Sequence, residues 1–327
     1  MFRTVVTRLL VLGMILCRPI HAEETPDPAP EWKAPFATQN VILLVIDGPR
    51  WSETFGDSEH KYVPHLANDI AKEGVIYTHF KNNGHTVTTP GHIALTSGFY
   101  QDADNTGKEL PKEPTILQRF LKSSGLPAKS VSLVTSKDKL EVLKNCSNAE
   151  WKDKWQCSSN CGLRGLNSEN RLDTQTFEIM KTTLAQDHPR LAVFHFMGPD
   201  IAGHAKLWDE YLKSITETDK MAWELWQQIQ KDPFYAGKTA FIISNDHGRH
   251  PDGLYDGFIS HGDDCPGCKH ILLYATGPDF KKNVVLDTPG EQLDVAVTIA
   301  HLLGFKIPES KGRVLNEMLL EAALPKK

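Results

Sequence analysis

Three aspartates and three histidines stand just behind apolar runs of this chain. Asp47 follows Asn40-Val-Ile-Leu-Leu-Val-Ile46. Asp200 and His204 belong to Gly198-Pro-Asp-Ile-Ala-Gly-His204, behind Leu191–Met197. Asp246 and His247 belong to Ser244-Asn-Asp-His-Gly248, behind Thr239–Ser244, and His261 sits in the next loop, in Ser260-His-Gly262. Carboxylate and imidazole are suitable ligands for zinc. Six ligands suffice for two divalent ions with three each and open positions left over. Two such ions would outweigh three carboxylates, and the net positive centre would attract phosphate. A pair about 3.5–4 Å apart can activate a nucleophile and stabilise a leaving oxygen in one displacement. A nucleophile candidate lies between these segments, where Thr86-Val-Thr-Thr-Pro-Gly-His92 precedes the helical run Ile93–Ser97. A hydroxyl there faces unpaired N–H groups and the positive end of the helix dipole, and a nearby metal would make its alkoxide accessible.

The elements that must position these residues follow a regular alternation. Asn40–Ile46 is a continuous apolar run with β-branched residues, as expected of a strand buried on both faces. Similar runs occur at Ser130–Thr135, Leu191–Met197, Thr239–Ser244 and His270–Thr276. Helical patterns separate them at Pro64–Glu73, Gly91–Ser97, Pro114–Ser124, Asp173–Gln186, Trp208–Lys231 and Glu291–Leu303. This order predicts an α/β domain, a three-layer sandwich around a mainly parallel sheet. Ligands of such sheets bind beyond the carboxyl ends of the strands, where the six residues lie. Asn145–Asn170 breaks the rhythm: it is polar, with three cysteines and two tryptophans, and reads as an insertion near 145–170.

The set Val41–Trp51, Thr88-Thr-Pro-Gly-His92, Pro199-Asp-x-x-Gly-His204, Asn245-Asp-His-Gly248 and Ser260-His-Gly262 resembles the alkaline phosphatase superfamily, in that order along the chain. It looks closest to the type I phosphodiesterase/nucleotide pyrophosphatase branch. The resemblance implies an alkaline-phosphatase-like fold over 39–327 and two divalent ions, zinc or in related sites manganese. Asp47, Thr88, Asp246 and His247 would surround one ion; Asp200, His204 and His261 would hold the other. Thr88 would be the nucleophile and form a phospho-threonine. Asn105 is the nearest match to an asparagine that holds a phosphoryl oxygen in that branch, although its register is off. Thr88 stands where sulfatases need Cys or Ser, and His92 where they need Arg, so sulfatase chemistry is not expected. The expected function is a phosphodiesterase acting on a small phosphate ester. The alternatives are a phosphomonoesterase or a phosphotransferase, such as phosphoethanolamine transfer, and, remotely, an inactive binding protein. Taken singly, an Asp behind a strand is usually a turn or cap residue and a lone His usually structural.

The chain has 327 residues, 40% hydrophobic and 24% charged, with a net charge of −5. That is a globular composition, with no basic surface for nucleic acid. Residues 1–22 pair Arg3 and Arg8 with an apolar run, Leu9–Cys17, too short to span a bilayer at about 20 residues, and end in Ile20-His21-Ala22. They read as a signal peptide, which predicts a secreted or periplasmic protein with no membrane span after cleavage. Residues 23–38 read as a linker. Of the six cysteines, five would remain, and an oxidising compartment favours disulfides among them. Cys265-Pro-Gly-Cys268 is either a local disulfide or half of a thiolate metal site, with Cys157 and Cys161 as its other half. The oligomeric state is not legible.

Overall fold

The computed structural model describes residues 1 and 32–325; the expected signal peptide beyond Met1 and the first part of the linker lie outside the described residues. Of the expected linker, residues 32–38 pack on the domain. The Trp32 ring meets Phe120 edge-on at 5.1 Å, and Phe36 lies 4.7 Å from His301.

The strands are β1 (Asn40–Ile46), β2 (Gly74–Lys81), β3 (Val131–Thr135), β4 (Ser158–Cys161), β5 (Leu191–Phe196), β6 (Thr239–Ser244), β7 (His270–Thr276), β8 (Val284–Leu286) and β9 (Gly290–Glu291). The helices are α1 (Thr88–Ser97), α2 (Ile116–Ser124), α3 (Asp173–Asp187), α4 (Gly198–His204), α5 (Trp208–Lys231), α6 (Pro266–Lys269) and α7 (Gln292–Leu303). One sheet runs β4-β3-β5-β1-β6-β7-β2-β8, with β9 beside β2. Its pairings are parallel except where β7 meets β6 and β2.

Alternation explains why β1 is apolar throughout. Val41, Leu43 and Val45 enter a core shared with α1, α2 and α7. Ile42, Leu44 and Ile46 enter a second core on the opposite face, shared with α3 and α5. A strand covered by helices on both faces must be apolar at every position, so the three-layer sandwich expected from the sequence is present.

Several elements depart from expectation. Pro64–Glu73 is helical as expected but irregular, with a π turn, Leu66–Ile70, followed by a 3-10 turn, Ala71–Glu73. β2 was not expected; its pairing with β7 carries an irregularity between Tyr77 and Phe80. β4 arises inside the cysteine-bearing insertion from Ser-Ser-Asn-Cys, which has no apolar period, because the free edge of β3 supplies its hydrogen bonds. All five described cysteines are free thiols, so none of the expected disulfides is formed among the described residues. The four-cysteine site is also excluded: Cys161 is on β4 and Cys268 just precedes β7, with four strands between them. No described helix is long and apolar enough to cross a membrane.

Candidate active site

Parallel pairing brings the carboxyl ends of β1, β3, β5 and β6 to one edge of the sheet. Asp47 continues the ladder of β1, its N–H bonded to the Phe196 carbonyl at 2.9 Å, and is fully buried. Asp246 and His247 leave β6 beside it. Asp246 Oδ1 accepts the N–H groups of His247 (3.0 Å) and Gly48 (3.3 Å). Asp200 lies in the first turn of α4, whose start is fixed by Asp173, accepting from Met197 N–H at 2.9 Å and Gly198 N–H at 2.7 Å. Two glycines of the sequence motifs are explained by close approach. A Cβ on Gly91 would lie 2.7 Å from the Asp246 carbonyl, and one on Gly203 would lie 2.6 Å from the Arg249 guanidinium carbon.

Two constellations of lone pairs result. In the first, Asp200 Oδ1 lies 3.3 Å from His204 Nε2 and 3.3 Å from His261 Nε2, and the two nitrogens are 3.0 Å apart. In the second, His247 Nε2 lies 3.4 Å from Asp47 Oδ1 and 3.3 Å from Asp246 Oδ2. Ligands about 2.0–2.1 Å from a tetrahedral zinc stand about 3.3–3.4 Å from one another, so both spacings suit such an ion. The rings of His247 and His261 stack at 3.6 Å and join the two sets.

Tautomers follow from the partners. His247 Nδ1 faces the Gly248 carbonyl at 2.9 Å and His261 Nδ1 the Thr86 carbonyl at 2.7 Å. A carbonyl only accepts, so each Nδ1 donates, and in the neutral ring Nε2 is left as a lone pair aimed at the carboxylates. Burial and the nearby His247 lower the His261 pKa to about 4, which keeps it neutral near pH 7. Asp47 Oδ1, Asp246 Oδ2 and His247 Nε2 are buried without a hydrogen-bond partner. Leaving such atoms unpaired costs about 1–3 kcal/mol each. A divalent ion among them would remove that cost, so the residues present fit the metal that the fold family uses.

Lys137, which follows β3, was not singled out from the sequence, yet it is central. Its Nζ lies 2.8 Å from Asp47 Oδ2, 2.6 Å from Asp200 Oδ2 and 3.1 Å from Thr88 Oγ1. Burial alone would raise both carboxyls, but Lys137 and the histidine hydrogen bonds hold them well below the usual carboxylate range. The strand-end rule that selects Asp47 would also have selected Lys137 had lysines been included. Two further supports were missed. His195 on β5 meets Asp47 Oδ2 at 3.0 Å, and burial lowers its own pKa to about 4. Arg249, two residues past His247, is buried beneath Asp200, bonding Oδ1 at 2.6 Å and the Ile259 carbonyl at 2.8 Å. Arg50 is an ion-pair anchor, held by Glu53 and Asp252.

Thr88 is the first residue of α1, behind Val87, which offers no capping side chain. Its hydroxyl meets Lys137 rather than capping the helix. His92 Nδ1 meets the Thr88 carbonyl at 2.8 Å. Asn105 Oδ1 accepts the Thr89 N–H at 2.9 Å and Lys139 Nζ at 2.9 Å. A cleft of about 410 Å³ opens over Thr88, Asn105, Lys137, Asp200, His204 and His261, and Leu166, Asn167 and Asn170 from the insertion also line it. All eight residues expected at the site therefore converge on this end of the sheet.

A family model described as Sulfatase matches residues 39–305. Among curated proteins, the GPI ethanolamine phosphate transferase 1 of Candida glabrata is 25% identical over 313 residues, covering 83% of this chain and 32% of that protein. The Mus musculus protein of the same name is 23% identical over 326 residues, covering 89% and 33%. The chain thus spans about a third of the length of these relatives. Among solved structures, murine ectonucleotide pyrophosphatase/phosphodiesterase 5 superposes with a TM-score of 0.63 at 15% identity, covering 86% of this chain and 100% of that one. A phosphonate monoester hydrolase from Silicibacter pomeroyi gives 0.61 at 15%, covering 86% and 76%.

Proposed function

This chain belongs to the Sulfatase family, within the alkaline phosphatase superfamily whose members act on phosphate and sulfate esters, and on that premise we propose that it is a phosphotransferase. It would move a phosphorylated small alcohol, ethanolamine phosphate in the first instance, from a phosphodiester donor to an acceptor hydroxyl. The curated relatives favour this alternative over the diester hydrolysis first expected. The observation that carries the chemistry is the group of buried, unpartnered lone pairs on Asp47, Asp246 and His247, joined through Lys137 to the Thr88 hydroxyl.

In this reading Asp47, Thr88, Asp246 and His247 hold one divalent ion, zinc or manganese, and Asp200, His204 and His261 hold another. When bound, the ions would supply the positive charge that makes the Thr88 alkoxide accessible and neutralises phosphoryl oxygens. Thr88 Oγ1 gives up its proton and bonds to phosphorus as the bond from phosphorus to the donor ester oxygen breaks and that oxygen takes up a proton. The acceptor oxygen then bonds to the same phosphorus as the Thr88 Oγ1–phosphorus bond breaks, and the proton that the acceptor loses restores the Thr88 hydroxyl. Lys137 donates toward Thr88 Oγ1 and stabilises negative charge there. Asn105 Oδ1 is occupied by Thr89 and Lys139, which leaves its Nδ2 to hold a phosphoryl oxygen. His195 and Arg249 keep Asp47 and Asp200 oriented. Thr88 stands where sulfatases carry Cys or Ser, so the family name does not set the substrate.

The decisive experiment supplies the metal-loaded protein with a glycerophosphoethanolamine diester labelled in its ethanolamine and an excess of a simple glycoside, whose product differs from the donor. Labelled ethanolamine phosphate should appear on the acceptor. Release of free ethanolamine phosphate alone, at every acceptor concentration, would replace this reading with diester hydrolysis. Lys137→Met should lower turnover by about 100-fold, the size of effect seen when one donor aimed at developing charge is removed. Steady-state kinetics at matched metal content checks it, and more than a third of wild-type turnover would take Lys137 out of the reaction.

A further inference from the structure

The loop between β6 and β7 carries His261 and returns to the sheet through α6. Its two ends converge. His250 lies near the start, and Asp263, Cys265 and Cys268 near the finish. One ligand atom from each of these four lies within 4.8 Å of the others. His250 Nε2 stands 3.3 Å from Asp263 Oδ1, the spacing of two ligands on one small ion. That nitrogen is buried and has no hydrogen-bond partner, on a side chain only 7% exposed. On the other side of the ring, Nδ1 meets Asp256 Oδ1 at 3.1 Å and Ser260 Oγ at 3.2 Å. A carboxylate at the far nitrogen is how metal-ligating imidazoles are usually oriented. Cys265 Sγ accepts the Cys268 N–H at 3.3 Å, so the first sulfur is already placed as an electron-rich acceptor.

We propose that His250, Asp263, Cys265 and Cys268 form a structural zinc site, separate from the two ligand sets of the cleft, that staples the loop bearing His261. Two thiolates, one imidazole and one carboxylate complete a tetrahedron without an open position, the composition of a structural rather than a catalytic ion. The alternative, a Cys265–Cys268 disulfide, leaves the His250 lone pair and its convergence with Asp263 unexplained. The staple has a direct consequence for the cleft. His250 N–H bonds the Ser260 carbonyl at 3.2 Å and Gly248 N–H bonds the Cys268 carbonyl at 2.8 Å. A cross-link here therefore fixes the backbone on both sides of His261 and holds its ring against the Thr86 carbonyl. The site uses none of the proposed catalytic ligands and stands whether or not the transferase reading does.

The test uses the full chain reconstituted with Co2+ alone. The cleft offers only oxygen and nitrogen donors, so a thiolate-to-cobalt charge-transfer band can come only from cysteine. Wild-type protein should show that band and bind one metal equivalent more than Cys265→Ser or Cys268→Ser, which should lose it. Thr88→Ala and Cys157→Ser should keep the band. Asp263→Asn retains both sulfurs, and should keep a shifted band with at least about tenfold weaker cobalt affinity, which covers the case of a cysteine variant that does not fold. The proposal is overturned by a thiolate band absent from reduced wild-type protein, by one that survives Cys265→Ser, or by a Cys265–Cys268 disulfide in peptides mapped from the metal-loaded protein without reduction.

Discussion

Thr88→Ala should lower turnover by at least about 100-fold, as removal of a covalent nucleophile does, while metal content stays close to wild type. The hydroxyl is the only part of the side chain with a polar partner, Lys137 Nζ at 3.1 Å. Alanine is a better helix former than threonine, and Val87, not Thr88, occupies the cap position of α1. The helix should therefore persist, and so should five of the six Asp and His ligands at least, since each is held by its own contacts. Asp47 is anchored by His195 and Lys137, Asp246 by Gly48 and the His247 N–H, Asp200 by Lys137 and Arg249, His247 by the Gly248 carbonyl, and His261 by the Thr86 carbonyl. The loss would then be chemical rather than structural. Melting temperature, elemental analysis and kcat on one preparation separate the two. Thr88→Ser restores a nucleophilic oxygen at the same place and should recover most of the rate. A Thr88→Ala protein retaining a tenth of wild-type turnover would mean that water or another group attacks phosphorus directly.

Removing metal should have a still larger effect. Asp47, Asp200 and Asp246 bring three negative charges to the centre, against the two cations Lys137 and Arg249. These five groups alone sum to −1, so the bare centre offers a phosphate ester no net attraction. Two divalent ions reverse it to +3. Exhaustive chelation should therefore take turnover to background, at least about 1,000-fold down, and zinc or manganese should restore it. A second readout does not depend on activity. The orphaned atoms of Asp47, Asp246 and His247 are paired only when an ion is present, so the melting temperature should climb with added metal, as mass action requires for a ligand that binds the folded state alone. Unchanged turnover in protein shown by elemental analysis to be metal-free would remove the ions from the mechanism.

On the proposed transferase reading, the shape of the cleft bears on which acceptor can enter. His204, at the end of α4, has a side chain 48% exposed, whereas Asp47, Asp246 and His247 are fully buried. The Asp200–His204–His261 set therefore reaches the open side of the cleft at His204, where on the proposed reading an acceptor hydroxyl or water would enter. Leu166, Asn167 and Asn170 border the same opening. On the proposed transferase reading, the insertion is thus placed to influence which alcohol reaches Thr88.

The sequence alone determined the layers and the strand ends. A strand covered on both faces has no choice but to be apolar throughout, so β1, β5, β6 and β7 announced themselves, and the polar residue that must follow each run marked the edge where ligands bind. Asp47, Asp200 and Asp246 were legible for that reason, and Thr88 from its place at the head of a helical run. Only the tertiary structure decided how their charges are balanced. Lys137 comes from a strand end 49 residues from Thr88 and 63 from Asp200, and nothing local to Ser136-Lys137 says which carboxylates its ammonium will reach. Arg249 adjoins a predicted ligand in sequence, yet the close approach of Gly203 turns its guanidinium under Asp200 and away from the cleft. Cys265 and Cys268 were visible as half of something; their nearest candidate partners are His250 and Asp263 because β7 runs antiparallel to β6 and folds the connecting loop back on itself. Apolar period is written residue by residue, whereas the pairing of buried charges depends on the path the chain takes between them.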